Sequence, residues 1–148
     1  MPPDGTSNAN CFVLEDYGDA GAKTGTTSLG PTTSTIVLDP GPPRDSFFLK
    51  LTAGMGVFAG GLTTGTFTIA GAELSSATCG LCVNLLADIG NMGPRQFYFA
   101  TGGTVTLTAT NPPAGSISAV TLQQVDAGGT PIADGCTSAI DAMTFTTQ

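Results

Sequence analysis

Short runs of alternating hydrophobic and polar residues recur along this chain, and most of them end at glycine, proline, asparagine or aspartate. An alternation with period two is typical of a β-strand that buries one of its faces. The clearest run, residues 104–110, sets Val105, Leu107 and Ala109 against four threonines. The same criterion predicts strands at residues 46–52, 66–70, 95–101, 104–110, 116–125 and 144–148.

Three further segments favour strands on weaker patterns. Residues 11–15 and 35–39 are short versions of the same alternation. Residues 81–89 are apolar on both faces, which fits either a central strand or a short helix. Their length and the flanking glycines favour the strand.

The run at residues 116–125 changes phase along its length. Ile117 and Ala119 share one face, whereas Val120 and Leu122 continue the apolar pattern on the shifted phase. A slip of one residue inside a strand is the effect of a β-bulge. The sequence therefore predicts a bulge near Ala119, with the Ala119 side chain facing the core.

Segments rich in polar residues, glycine and proline separate the runs. Residues 18–31 are polar and have no periodicity, so we expect a long loop there. Residues 39–45 include three prolines, which cannot donate to a strand ladder. Residues 111–115 predict a hairpin connection between the runs on either side of them.

Eight or nine short strands at this spacing predict a single all-β domain spanning residues 1–148. The expected architecture is an antiparallel β-sandwich held by disulfides, and a closed β-barrel is the alternative. Composition agrees, because only 10% of the residues are charged while threonine and glycine are the two commonest types. Threonine packs well on a pleated surface and glycine fills tight turns.

Composition also limits the chemistry. The chain contains no histidine and no tryptophan. Histidine is the commonest general base and metal ligand, so Ser-His-Asp and Cys-His catalysis and most catalytic zinc sites are excluded. A glycosidase cleft is also disfavoured, because such clefts are normally lined with aromatic residues and this chain has two tyrosines. We therefore do not expect an enzyme, and we expect no cofactor.

The charge distribution restricts the partners. The net charge is −7, and the four basic residues, Lys23, Arg44, Lys50 and Arg95, are scattered. Without a basic patch to neutralise phosphates, binding to nucleic acid is not expected. No stretch of 18 apolar residues occurs, so we do not expect the chain to span a membrane.

Four cysteines suggest an oxidising compartment, and hence a secreted protein whose leader has been removed or replaced by Met1. The Cys79-Gly80-Leu81-Cys82 motif could be a redox pair or half of a zinc site, but no nearby base or second cysteine pair supports either. Structural disulfides are favoured. Of the three pairings, we prefer Cys11 with Cys136 and Cys79 with Cys82, and a crossed arrangement remains open.

The densest acidic cluster is a candidate calcium site. It consists of Glu15, Asp16 and Asp19 in a polar segment, and calcium takes several carboxylate oxygens from such loops. The spacing matches no EF-hand, and clustered acids are usually just solvated.

Several motifs in combination resemble a known family. They are GVFAGG at residues 56–61, GTFTIAGAEL at 65–74, ATCGLCV at 77–83, YFATGGTV at 98–105 and DGCTSAI at 134–140. The chain resembles small secreted or surface proteins of myxobacteria and related predatory Gram-negative bacteria, over roughly residues 46–148. The resemblance implies export, β structure and a shared cysteine framework, and it implies no activity or catalytic residue.

Two functions follow as expectations. The first is a non-enzymatic structural or adhesive protein of the cell exterior, which would assemble with copies of itself into a fibre or surface layer through strand edges. The second is a soluble secreted module that recognises a glycan or an envelope protein through its loops. Residues 18–31 and 39–45 are the candidate binding loops.

Overall fold

The computed structural model describes residues 11–13, 16–29, 33–39, 45–87 and 96–147. Two short 3-10 helices lie at Gly56–Phe58 and Gly71–Leu74. None of the described segments forms a helix long and apolar enough to cross a membrane. The eight strands are β1 (Asp19–Leu29), β2 (Thr33–Leu38), β3 (Ser46–Thr52), β4 (Gly65–Thr68), β5 (Leu81–Ala87), β6 (Gln96–Thr110), β7 (Pro113–Val125) and β8 (Thr137–Thr147).

Seven of these strands close into a barrel. Around the ring the order is β6, β5, β3, β2, β1, β8 and β7, and β7 pairs again with β6. The all-β class and the disulfides are confirmed, and the architecture is the closed barrel given as the alternative, not the sandwich. A sandwich consists of two sheets that are not hydrogen-bonded to each other along their edges. Here β6 and β7, with 15 and 13 residues, pair along most of their length, so the two ends of the strand order are joined.

Strand β6 merges two runs that the sequence presented as separate strands. Gly102 and Gly103 lie between them, and the register to β7 shifts on both sides of Gly102. Gly103 has φ +117°, and a Cβ at this position would lie 2.6 Å from the Val120 Cα. Because the strand is irregular here, its first half pairs with β5 while its second half pairs with β4.

The predicted bulge in β7 lies at this irregularity. Ala119 has φ +52° and is exposed, while Ile117 and Val120 are buried. The prediction that Ala119 faces the core is therefore wrong. The alternation changes phase at Ala119, because its left-handed backbone turns this residue outward, next to the outward-facing Ser118.

The predicted loop at residues 18–31 is also wrong, because most of it forms β1. This strand pairs in parallel with β8 and antiparallel with β2, so the ladder is not purely antiparallel. Its inner wall is partly backbone. A Cβ added at Gly25 would lie 2.7 Å from the Leu38 Cδ2, so no side chain fits there. A strand that contributes glycine to the core shows no hydrophobic alternation.

Other strand predictions agree with the structure or lie partly outside it. The run 46–52 coincides with β3, and β5 is a strand through residue 87; residues 88 and 89 lie outside the described residues. The strand at 144–148 begins earlier, at Thr137. Residues 11–13 are not in a strand, and residues 14 and 15 are outside the described part. The hairpin between β6 and β7 turns at Asn111 and Pro112, as predicted.

The barrel interior is filled by inward-facing side chains of β2, β3, β5, β6, β7 and β8. Phe47, Leu49 and Leu51 of β3 are fully buried, in the alternation that the sequence shows. Full burial of each such side chain contributes roughly 1.5–3 kcal/mol to folding. The largest buried residues include Tyr98, Phe47, Phe58 and Phe145.

Candidate binding groove

An open groove of about 520 Å³ lies on the outer face of the barrel. One wall is residues 74–77, which begin at the last residue of the second 3-10 helix, and the other wall is residues 128–131 in the connection from β7 to β8. The floor belongs to β6 and β7. The lining residues are Leu74, Ser75, Ser76, Ala77, Phe99, Ala100, Thr101, Gln123, Val125, Gly128, Gly129, Thr130 and Pro131.

The groove floor rests on a second, smaller hydrophobic cluster outside the barrel. Its buried members are Cys79, Cys82, Phe99 and Val125, with Phe97 packed against them. Successive side chains of a strand point to opposite faces. Because Tyr98 and Ala100 belong to the interior core, Phe97 and Phe99 point outward. Cys79 of this cluster follows the groove residues 74–77 in the same segment, which links the cluster to the groove.

The groove rim is polar and uncharged. Ser75, Ser76, Thr101, Gln123 and Thr130 supply hydroxyl and amide groups, and no charged residue occurs among the described residues that line the groove. The Thr101 hydroxyl shares a 2.9 Å hydrogen bond with the hydroxyl of Thr121, and the Gln123 amide donates to the Ile132 carbonyl at 3.4 Å. The rim therefore offers neutral donors and acceptors.

A buried carboxylate fixes the wall of the groove. Glu73 is 2% exposed and precedes Leu74 of the rim. Its Oε1 accepts a hydrogen bond from the Val57 N–H at 3.0 Å, and its Oε2 accepts from the N–H groups of Gly80 and Leu81 at 2.9 and 2.8 Å. Charge-assisted bonds of this kind offset the cost of burying a carboxylate. Three chain segments thus meet at one side chain.

Two glycines make room for this arrangement. A Cβ at Gly56 would collide with the Glu73 carboxylate, and a Cβ at Gly80 would collide with the Met55 carbonyl. Sequence reasoning missed Glu73. The available signal is that Glu73 ends a stretch, residues 51–72, without any charged residue, in a segment rich in glycine.

All four cysteines are in disulfides. Cys79 bonds to Cys82 with the Cα atoms 5.3 Å apart, and Cys11 bonds to Cys136 with the Cα atoms 5.8 Å apart. This is the pairing that the sequence analysis preferred. Cys79 and Cys82 are 1% and 8% exposed, so the first bridge is part of the groove's hydrophobic support.

The acidic residues proposed for calcium are used locally. The Asp16 carboxylate accepts a hydrogen bond from the Gly18 N–H at 2.7 Å, and the Asp19 carboxylate accepts from the Gly21 N–H at 2.9 Å. Both side chains are exposed, and Glu15 lies outside the described residues. Within the described ranges, no three residues of the types His, Cys, Asp and Glu cluster as metal ligands would.

The loops proposed for binding are not those of the groove. Most of the first, residues 18–31, forms β1. Of the second, residues 39–45, only Asp39 and Asp45 are described. Asp45 is 3% exposed and accepts a hydrogen bond from the Tyr17 hydroxyl. Side chains from three distant stretches form the groove instead, and no motif connects them.

Both tyrosines of the chain take part in a polar network at one end of the barrel. The Tyr98 hydroxyl donates to the Gln96 Oε1 at 2.7 Å, and the Phe12 N–H donates to the same oxygen at 3.2 Å. Burial raises the pKa of Tyr98 well above its usual value, and the negative charge of Asp45 raises it further. The network ties residues 12 and 17 to the barrel end.

Comparison of the chain with protein-family models, with curated proteins and with solved structures gives no match. The resemblance to exported myxobacterial proteins therefore stays a prediction.

Proposed function

We propose that the protein is a non-enzymatic extracellular binding module that holds a neutral glycan in the groove. The observation that carries the proposal is the combination of an exposed apolar residue on the wall, Leu74, with an uncharged rim of hydroxyl and amide groups. Ligand sites are typically concave and mostly apolar, with a few polar groups that orient the ligand. A sugar offers the complementary surface, since its ring has apolar C–H faces and hydroxyls around the edge.

The apolar contact would come mainly from the wall of the groove. Leu74 is 46% exposed, whereas Phe99 is 6% exposed and offers little face for stacking. Binding would therefore depend on hydrogen bonds to the rim. In a protein with net charge −7, an uncharged rim favours a neutral ligand over a sulfated or uronic one, which the rest of the surface would repel.

The extracellular location is supported by two disulfides, which persist in oxidising compartments. The resemblance to exported proteins supports the same location.

Assembly into a fibre or surface layer is the second candidate, and β4 is the observation that bears on it. Among the described strands, β4 alone has a neighbour on one side only. Strand addition along a fibre requires two complementary edges on each subunit. A closed ring that carries one free edge strand, β4, among the described residues therefore favours the groove as the functional site.

The experiment is a titration of the purified chain with neutral, sulfated and uronic oligosaccharides, followed by calorimetry on the best ligand. We expect a neutral oligosaccharide to bind, and Leu74→Ser and Gln123→Ala to weaken it at least fivefold. Met55→Ser is the matched control, because Met55 is also an exposed apolar residue but does not line the groove. Binding by no neutral glycan, or equal losses in Leu74→Ser and Met55→Ser, would contradict the proposal.

A further inference from the structure

We propose that two copies of this chain form a twofold dimer by pairing their β4 strands edge to edge. Strand β4, Gly65–Thr68, lies outside the ring of seven and pairs only with β6. Thr66 and Thr68 are exposed, while Phe67 is half-buried and packs with its ring centroid 4.9 Å from that of Phe58. The strand is therefore anchored on one side and open on the other.

The ladder shows which backbone groups face the open side. The Ile69 N–H donates to the Gly103 carbonyl at 2.9 Å, and residues 67 and 105 are paired in the same register. In an antiparallel ladder, hydrogen-bonded residues alternate with residues whose backbone groups point away. The N–H and C=O groups of Thr66 and Thr68 consequently point away from β6, where another strand could pair with them.

Apart from its length of four residues, the edge lacks the features that normally protect an exposed strand. Natural edges carry lysine, proline, inward-facing charges or bulges that prevent pairing with another chain. Here residues 51–72 contain no charged residue, and residues 62–70 contain no proline. Because the chain has a net charge of −7, this charge-free stretch is where two copies meet with the least repulsion.

A second copy is the occupant that fits, because an antiparallel edge is complementary to itself. Pairing through a twofold axis uses the same edge on both copies and closes the assembly at two. With a single free edge among the described strands, the contact does not propagate. Four residues provide few hydrogen bonds, so the dimer should dissociate on dilution.

Dimerisation goes beyond the groove, and it has a consequence for the groove. Each copy brings its own groove to the assembly, and Leu74 of the groove rim follows β4 by six residues in the sequence. Two linked grooves bind a polymeric ligand more tightly than one, because the second binding event is intramolecular.

Sedimentation velocity of the full chain over a wide concentration range tests the dimer. We expect a monomer–dimer equilibrium. Thr66→Pro, which removes an N–H on the open side, and Thr66→Lys, which adds a charge there, should each raise the dissociation constant at least tenfold. Thr144→Lys is the matched control, since Thr144 is an exposed threonine on β8, a strand with neighbours on both sides. Circular dichroism and melting temperature establish that each variant is folded.

Three results would overturn the dimer: wild-type chain that is monomeric throughout, Thr66→Lys that dimerises like wild type, or species that grow beyond two copies. The groove is tested separately by calorimetry with a short monovalent oligosaccharide. Its affinity per site should be the same in Thr66→Lys as in wild type, so loss of dimerisation leaves the glycan proposal standing.

Discussion

The carboxylate of Glu73 joins the groove wall to Gly80, which follows the first of the two bridged cysteines, by accepting a hydrogen bond of 2.9 Å from the Gly80 N–H. The adjacent Leu81 N–H donates to the same oxygen. The other carboxylate oxygen accepts from the Val57 N–H. All three donors are backbone groups that cannot move away without distorting the chain.

Glu73→Gln should therefore destabilise the protein by about 2–4 kcal/mol, because the NH2 group of the glutamine side chain would face backbone N–H groups, which are also donors. Chemical unfolding measures the change. Asp126→Asn is the control: there one oxygen, Oδ1, accepts both N–H bonds, and an asparagine retains such an oxygen. Equal stability of Glu73→Gln and wild type would show that the carboxylate is not needed.

Removal of the two disulfides should have unequal effects. The Cys11–Cys136 bridge spans 125 residues and the Cys79–Cys82 bridge spans 3. In the chain-entropy model the long loop contributes about 5 kcal/mol and the short one about 2 kcal/mol. To measure the difference, both cysteines of one bridge are replaced by serine, and then both cysteines of the other. Each variant is checked by peptide mapping without reductant, and the two free energies of unfolding are compared in guanidinium.

The same serine variants should rank in the opposite order for ligand binding. Cys79 and Cys82 pack with Phe99 and Val125 beneath the groove, whereas Cys136 belongs to the interior core. We expect the Cys79/Cys82 double variant to lose more affinity for the oligosaccharide, as measured by calorimetry. A larger affinity loss on removing the Cys11–Cys136 bridge would contradict this role.

Tyr98 should make the protein sensitive to alkali. Its pKa is raised in the folded state by burial and by Asp45, so above pH of about 10 the unfolded chain releases a proton that the native protein retains. Stability from this group is complete below that pH, and it falls at higher pH by up to about 1.4 kcal/mol per pH unit.

Tyr98→Phe provides the comparison for this effect. It should cost about 1 kcal/mol at neutral pH, because the hydrogen bond to Gln96 is lost. Above pH 10 its stability should fall less steeply than that of the wild type. Urea unfolding at several pH values measures both slopes, and parallel slopes would exclude Tyr98 as the cause.

Gly25 should tolerate no side chain. A Cβ there would lie 2.7 Å from the Leu38 Cδ2 and 2.8 Å from the Val37 carbonyl oxygen. Gly25→Ala should cost about 1–3 kcal/mol through overpacking. Gly60→Ala, where no atom lies within 4 Å of the added Cβ, should change the stability by less than about 0.5 kcal/mol. Thermal unfolding of both variants, compared with the wild type, measures the two changes in stability.

The sequence predicted those strands whose core face consists of apolar side chains. β3 was found with its exact limits because Phe47, Leu49 and Leu51 alternate with residues that face outward. β1 was missed because Gly25 supplies its inner wall. The choice between sandwich and barrel depends on which distant strands pair, and alternation along one strand carries no such information.

The groove escaped prediction for a related reason. Its residues come from three stretches, around residues 74–77, 99–101 and 123–131, and they have ordinary side chains without a motif. The cysteine motif did indicate one of its supports. Glu73 could be recognised only after folding brings Val57 and Leu81 to the same carboxylate.

The parallel contact between β1 and β8 has a kinetic consequence. These two strands complete the ring, although more than 100 residues separate Lys23 from its partner Phe145. A contact so remote in sequence imposes a large entropic cost before it yields any stabilisation, which is typical of domains that fold in milliseconds to seconds. Until β8 is in place the barrel stays open, and the edges of β1 and β7 that pair with β8 in the folded protein have no partner strand.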